Sequence, residues 1–121
     1  MASILLVDDN PDTCKPLARL LEYMGHHADC VSSGAEALGY LTMVRPNLVV
    51  LDVSMPVMDG LAVLRKMRQS PDLARLPVVM YTALSDEKVH TQAMELGARD
   101  VLIKGLTDLG ELQARLTEHM G

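Results

Sequence analysis

The sequence contains no Phe and no Trp and only three Tyr, although 49% of its residues are apolar. An aromatic core is excluded, so Leu, Val, Ala and the nine Met must fill the interior. Cysteine is equally scarce. Cys14 and Cys30 each sit among apolar neighbours, as small buried hydrophobes do, and nothing suggests an oxidising compartment, so free thiols are expected. No apolar run approaches the length of a membrane span, and the Met1-Ala2-Ser3 start lacks the basic residues and long apolar middle of a signal peptide. A cytoplasmic location is expected. The formal net charge is -5 and no basic cluster stands out, which argues against direct contact with nucleic acid or anionic lipid. There is no linker-like or low-complexity stretch, and 121 residues suit one domain over 1–121.

Five short apolar segments recur, Ile4–Val7, Ala28–Val31, Leu48–Leu51, Val78–Tyr81 and Val101–Ile103, each followed by a stretch of helical periodicity. Strand-helix alternation predicts an α/β fold with a parallel sheet covered on both faces, and the less apolar Ala28–Val31 reads as its edge. Asn10 and Pro11 open the first helix, with a local kink or an irregular start expected from Pro16. Ser33 with Glu36 and Asp108 with Glu111 form capping boxes, Asp59 and Ser85 cap two more helices, and Gly25 and Gly97 suit helix exits.

In such sheets ligands bind beyond the carboxyl ends of the strands. Asp8 and Asp9 follow the first strand, Asp52 the third, Thr82 the fourth and Lys104 the fifth, and right-handed crossovers bring them to one edge. Carboxylates sharing a cleft repel by about 4 kcal/mol per close pair at intermediate dielectric, so a divalent cation is implied. Mg²⁺ takes one or two protein carboxylates and completes its shell with waters and phosphate oxygens. Thr82 adds a hydroxyl donor and Lys104 a mobile positive charge, which together make a phosphoryl site. Each residue alone has a plainer reading as a solvated turn, a strand end or a surface charge; the set carries the argument.

The segments Val7-Asp8-Asp9, Leu51-Asp52-Val53-Ser54-Met55-Pro56-Val57-Met58-Asp59-Gly60, Tyr81-Thr82-Ala83 and Ile103-Lys104 resemble those of response-regulator receivers, in order and spacing, over essentially the whole chain. The resemblance implies a flavodoxin-like five-stranded parallel sheet, order 2-1-3-4-5, with helices on both faces. It implies that Asp52 accepts a phosphoryl group from the phosphohistidine of a histidine kinase or phosphotransfer protein. Asp8, Asp9, Asp52 and the Ser54 backbone carbonyl would hold Mg²⁺, for which Mn²⁺ can substitute. Lys104 would pair with one phosphoryl oxygen, Thr82 would donate to another, and small Ala83 would leave room. Such a domain is a switch that assists its own phosphorylation and dephosphorylation, not a turnover enzyme. Its output is a downstream protein or a fused domain, and a phosphorylation-dependent homodimer would use the last two helices and the strand between them.

Two positions depart from that family's pattern. Val101 stands where an aromatic residue usually turns inward during switching, and Gly105 replaces the proline that usually follows the lysine with a cis bond. A cis bond before a non-proline costs about 2.5–4 kcal/mol, so a trans Lys104–Gly105 bond and a rearranged loop are expected. These departures lend some weight to a phosphorylation-independent pseudo-receiver, against which the full acceptor set argues. A metal-dependent phosphohydrolase is disfavoured, because haloacid-dehalogenase-like enzymes place a second acid where Ser54 stands. His26, His27 and Cys30 lack a second ligand cluster for zinc, and His90 and His119 read as solvated.

Overall fold

The computed structural model describes residues 1–120 and alternates strand and helix throughout. The strands are β1 (Ser3–Val7), β2 (His27–Val31), β3 (Leu48–Leu51), β4 (Val78–Thr82) and β5 (Asp100–Ile103). The helices are α1 (Pro11–Tyr23), α2 (Gly34–Met43), α3 (Gly60–Gln69), α4 (Glu87–Glu95) and α5 (Leu109–Met120). All strand pairs are parallel and the order is β2-β1-β3-β4-β5. β2 is an edge strand, and its partial exposure explains its weaker apolar character.

Alternation along each strand sorts the core into two layers. Leu5, Val7, Val49, Leu51, Val78 and Met80 face α2, α3 and α4, whereas Ile4, Leu6, Leu48, Val50, Val79 and Leu102 face α1 and α5. Every one of these side chains is nearly or fully buried, and at about 25 cal/mol per Å² of apolar area this aliphatic burial drives the fold. Met55, Met67 and Met80 fill the core as expected, but Met43 and Met94 are exposed.

The helix starts follow the capping chemistry. Asn10 Oδ1 accepts from the Asp12 N–H at 2.9 Å, Asp59 Oδ1 from Ala62 at 2.9 Å and Asp108 Oδ1 from Glu111 at 2.8 Å. Ser33 Oγ caps Glu36 N–H at 3.1 Å, while the Glu36 carboxylate is held mainly by Ser32, at 2.7 Å. The cap of α4 is Asp86, which accepts from Lys88 N–H at 2.8 Å, and not Ser85. Adjacent cap-forming residues left that start one residue ambiguous in the sequence. Pro16 does not break α1, since it lies on the exposed face one turn from the start, where water can reach the carbonyl left without a donor.

Three further expectations are corrected. Cys30 is exposed, and its Sγ is joined to Cys14 Sγ as a disulfide across Cα atoms 6.2 Å apart. His119 is not solvated: its side chain is only 14% exposed and its Nε2 lies 3.1 Å from Asp100, which also pairs with Arg115 at 2.6 Å. His90 is half-buried, with its ring bonded to the Leu84 carbonyl at 3.0 Å. None of the helices among the described residues is long and apolar enough to cross a membrane.

Candidate functional site

Strand register assembles the site. β1 and β3 pair Val7 with Leu51, so the residues that follow, Asp8 and Asp52, leave adjacent strands side by side. Backbone hydrogen bonds continue the ladder by one step, from Asp52 N–H to Val7 O at 2.9 Å and from Asp8 N–H to Val31 O at 3.1 Å. On the other side β4 and β5 pair Thr82 with Ile103, and Lys104 N–H donates to Thr82 O at 2.8 Å. Positions far apart in the chain thus meet at the carboxyl edge.

Carboxylate oxygens of Asp8, Asp9 and Asp52 lie within 4.8 Å of one another, with Asp8 and Asp52 buried and Asp9 open to solvent. Lys104 reaches over them, with Nζ 2.6 Å from Asp8 Oδ2 and 3.4 Å from Asp52 Oδ2. Its ammonium also lies 5.9 Å from the centre of the Tyr81 ring, a cation–π contact. Burial, and then the neighbouring Asp8 charge, push the Asp52 carboxyl above the usual range; Lys104, the Thr82 hydroxyl and the Ser54 N–H pull it partly back. Burial lowers the Lys104 ammonium, but its bond to Asp8 and the fields of Asp52 and Asp8 outweigh that and raise it.

Thr82 is fully buried, and its Oγ1 accepts from Leu84 N–H at 3.2 Å. Ser54 N–H points at Asp52 Oδ1 at 3.3 Å, and among the described residues nothing donates to the Ser54 carbonyl. The donor set fits a hard divalent cation: three clustered carboxylates, one of them open to solvent. A soft or borderline metal finds no thiolate or imidazole in this acidic cluster.

Sequence reasoning missed the packing role of Gly60. A Cβ on Gly60 would lie 2.1 Å from the Asp52 carbonyl oxygen, so only glycine lets α3 begin against the backbone of Asp52. The signal was available in the Asp59-Gly60 pair, but its reason lies in packing. Gly105 adopts φ +83, and no described peptide bond is cis, as expected from the absence of proline at that position.

An open sheet of this order, with carboxylates and a lysine gathered at its carboxyl edge, defines the class of receiver domains. Residues 4–117 match the response regulator receiver domain, and the chain belongs to that family. It is 38% identical to the response regulator MprA of Mycobacterium sp. (strain KMS) over 113 residues, 93% of this chain and 48% of MprA. The chain spans about half the length of the curated relatives it matches.

Among solved structures it resembles the signal receiver domain of a signal transduction histidine kinase from Syntrophus aciditrophicus, with a TM-score of 0.88 and 35% identity, covering 99% of this chain and 90% of that one. It also resembles the receiver domain of the sensor histidine kinase PA1611 from Pseudomonas aeruginosa PAO1, which has magnesium coordinated in its active site cleft; the TM-score is 0.88 and the identity 28%, over 99% of this chain and 98% of that one. Response regulators act in two-component signalling.

Proposed function

We propose that residues 1–121 form a working receiver domain that accepts a phosphoryl group on Asp52 and thereby changes which protein surface it presents. The observation that carries the reading is the placement of buried Asp52 beside the Asp8–Asp9 pair and within reach of the Lys104 ammonium. Asp8, Asp9, Asp52 and the Ser54 carbonyl would hold Mg²⁺, or Mn²⁺ in its place. When bound, the ion supplies positive charge that neutralises the carboxylates and the phosphoryl oxygens.

The donor is the phosphohistidine of a histidine kinase or a phosphotransfer protein. An Asp52 carboxylate oxygen attacks phosphorus, the phosphorus–nitrogen bond breaks, and the imidazole leaves with the electron pair. Such transfer asks the protein for position and charge more than for covalent chemistry. Lys104 exchanges its bond to Asp8 for one to a phosphoryl oxygen, and Thr82 turns its hydroxyl to another. Ala83, small and exposed beside Thr82, would leave room for the phosphoryl group.

The inward pull on Thr82 biases a two-state equilibrium of the β4–α4 loop, and about 5.5 kcal/mol of differential stabilisation carries such an equilibrium from almost off to almost on. Val101 is half-buried against the same apolar layer as Val89 and Leu96 and has no ring to swing. The response therefore runs through the loop and α4. The receiver acts in the cytoplasm on a protein target or a fused output domain, not on nucleic acid directly, and phosphorylation favours pairing of two copies through α4, β5 and α5.

Intact mass after incubation with Mg²⁺ and a small-molecule phosphodonor tests the reading. One phosphoryl adduct is expected, lost when metal is withheld and absent from Asp52→Asn. No adduct with metal bound and a donor active on a control receiver would instead support the pseudo-receiver that Val101 and Gly105 suggest.

A further inference from the structure

Cys14 and Cys30 lie in one groove with the acidic pair, lined also by Lys15 and Glu36. We propose that these cysteines are a reversible redox pair whose closure holds the Asp8–Asp9 loop ready for its metal; this rests on the metal-binding part of the function proposed above.

Both cysteines are wired to Asp8. Cys14 N–H bonds to Asn10 O at 3.1 Å, and Asn10 N–H bonds to Asp8 Oδ1 at 2.9 Å. On the other side Cys30 precedes Val31, whose carbonyl accepts from Asp8 N–H at 3.1 Å. A bond between the two sulfurs therefore closes a ring around the first metal ligand, fastening the opening turns of α1 to the free edge of the sheet. Without it, β2 keeps β1 as its one strand neighbour, its packing under α1 through Ala28 and the hydrogen bond from the Tyr40 hydroxyl to Asp29 at 2.8 Å, but no covalent tie to α1.

The two cysteine residues differ in exposure, and that suits them to different steps. Cys30 is exposed, whereas Cys14 is 4% exposed and its Sγ lies 3.9 Å from the Leu6 carbonyl, to which a reduced thiol can donate. A hydroperoxide is the oxidant class. Cys30 thiolate attacks the peroxide oxygen, the oxygen–oxygen bond breaks, and water or alcohol leaves after protonation, giving a sulfenic acid. Cys14 then attacks that sulfur, and its own proton departs with the hydroxyl as water. Two thiols and one hydrogen peroxide thus become one disulfide and two waters. A dithiol reverses the step by exchange through a mixed disulfide. In a reducing compartment such a bond reports on redox state and does not serve as a permanent staple.

Pre-ordering the ligand loop spares its ordering cost when the ion binds, so the oxidised protein binds Mg²⁺ more tightly, by roughly threefold to tenfold. The experiment measures Mg²⁺ affinity by calorimetry on the full chain after peroxide and after dithiol treatment, with free thiols counted by maleimide mass shift. Expected are an intramolecular disulfide in the oxidised monomer, two free thiols after reduction, and the affinity difference just stated. Cys30→Ser, at an exposed position, and Cys14→Ala should each bind Mg²⁺ like the reduced protein under both treatments. Failure of the thiols to pair within one chain, equal affinities, or tighter binding by the reduced form would overturn the proposal. Phosphorylation is scored separately: a redox-dependent Mg²⁺ affinity without a phosphoryl adduct would uphold the redox pair and defeat the phosphoacceptor reading.

Discussion

Lys104 Nζ lies closer to Asp8, at 2.6 Å, than to Asp52, at 3.4 Å. The lysine thus neutralises a prospective metal ligand more directly than it touches the prospective phosphoacceptor, and cation binding must compete with it. Lys104→Met removes the competitor. Mg²⁺ should bind the variant more tightly, while phosphorylation of Asp52 should slow because no ammonium remains to meet the phosphoryl oxygen. The metal-free fold should lose about 1–3 kcal/mol, since the buried carboxylates are left without their counter-charge. Calorimetric Mg²⁺ titration, the rate of phosphoryl adduct formation read by intact mass, and denaturant unfolding check the three effects independently.

Asp52→Asn separates stability from function in the opposite direction. Burial and then the Asp8 charge both disfavour the ionised Asp52 carboxyl, and their sum exceeds the opposing pull of Lys104 and the hydrogen bonds. Removing that charge should stabilise the metal-free protein by about 1 kcal/mol while abolishing the phosphoryl adduct. Added Mg²⁺ should raise the unfolding midpoint of the parent more than that of the variant, because at equal concentration the more tightly bound ligand stabilises the folded state more. Thermal unfolding with and without Mg²⁺ measures both; an unchanged or lower midpoint in the metal-free variant would contradict the charge argument.

Asp8, Asp52, Thr82 and Lys104 were legible in the sequence because each directly follows or ends an apolar run, and parallel topology turns that local position into a shared edge. What stayed hidden depends on neighbours the chain order does not reveal. Cys14 and Cys30 meet because β2 returns beside β1 under α1, which no spacing rule encodes for a lone pair of cysteines. His119 reads as a terminal polar residue until α5 lays it against Asp100. Gly60 is a cap-following glycine by pattern, yet the reason for it is the Asp52 carbonyl against which a Cβ would collide.

Gly105→Pro restores the residue usual among response-regulator receivers and should nevertheless harm this protein. Gly105 sits at φ +83, with open space where a Cβ would point, so the barrier is the backbone and not a clash. Proline holds φ near −65° and cannot adopt that geometry. A loss of about 2–3 kcal/mol in unfolding free energy is expected, together with weaker seating of Lys104. Gly105→Ala, strained only by its positive φ, should cost about 1 kcal/mol. Equal stability of the proline variant and the parent would mean that this loop reorganises freely.

Asp100 gives the fold a pH dependence of defined sign. Burial alone would raise its carboxyl, but hydrogen bonds from His119 and Arg115 and the Arg115 charge outweigh burial and hold it below its ordinary value of 3.8. A carboxyl depressed in the folded state binds fewer protons there than in the unfolded chain. Its contribution is therefore complete above the unfolded value and is lost as pH falls through the lower folded one. Asp100→Asn should unfold several degrees lower than the parent at neutral pH, because α5 loses the anion that ties Arg115 and His119 to the start of β5. The gap between the two midpoints should shrink as pH drops below 3.8, where the parent's own carboxyl takes up a proton. Thermal unfolding of both proteins from neutral to strongly acid pH measures that gap, and a gap constant across the range would show that packing of the side chain, and not its charge, anchors α5.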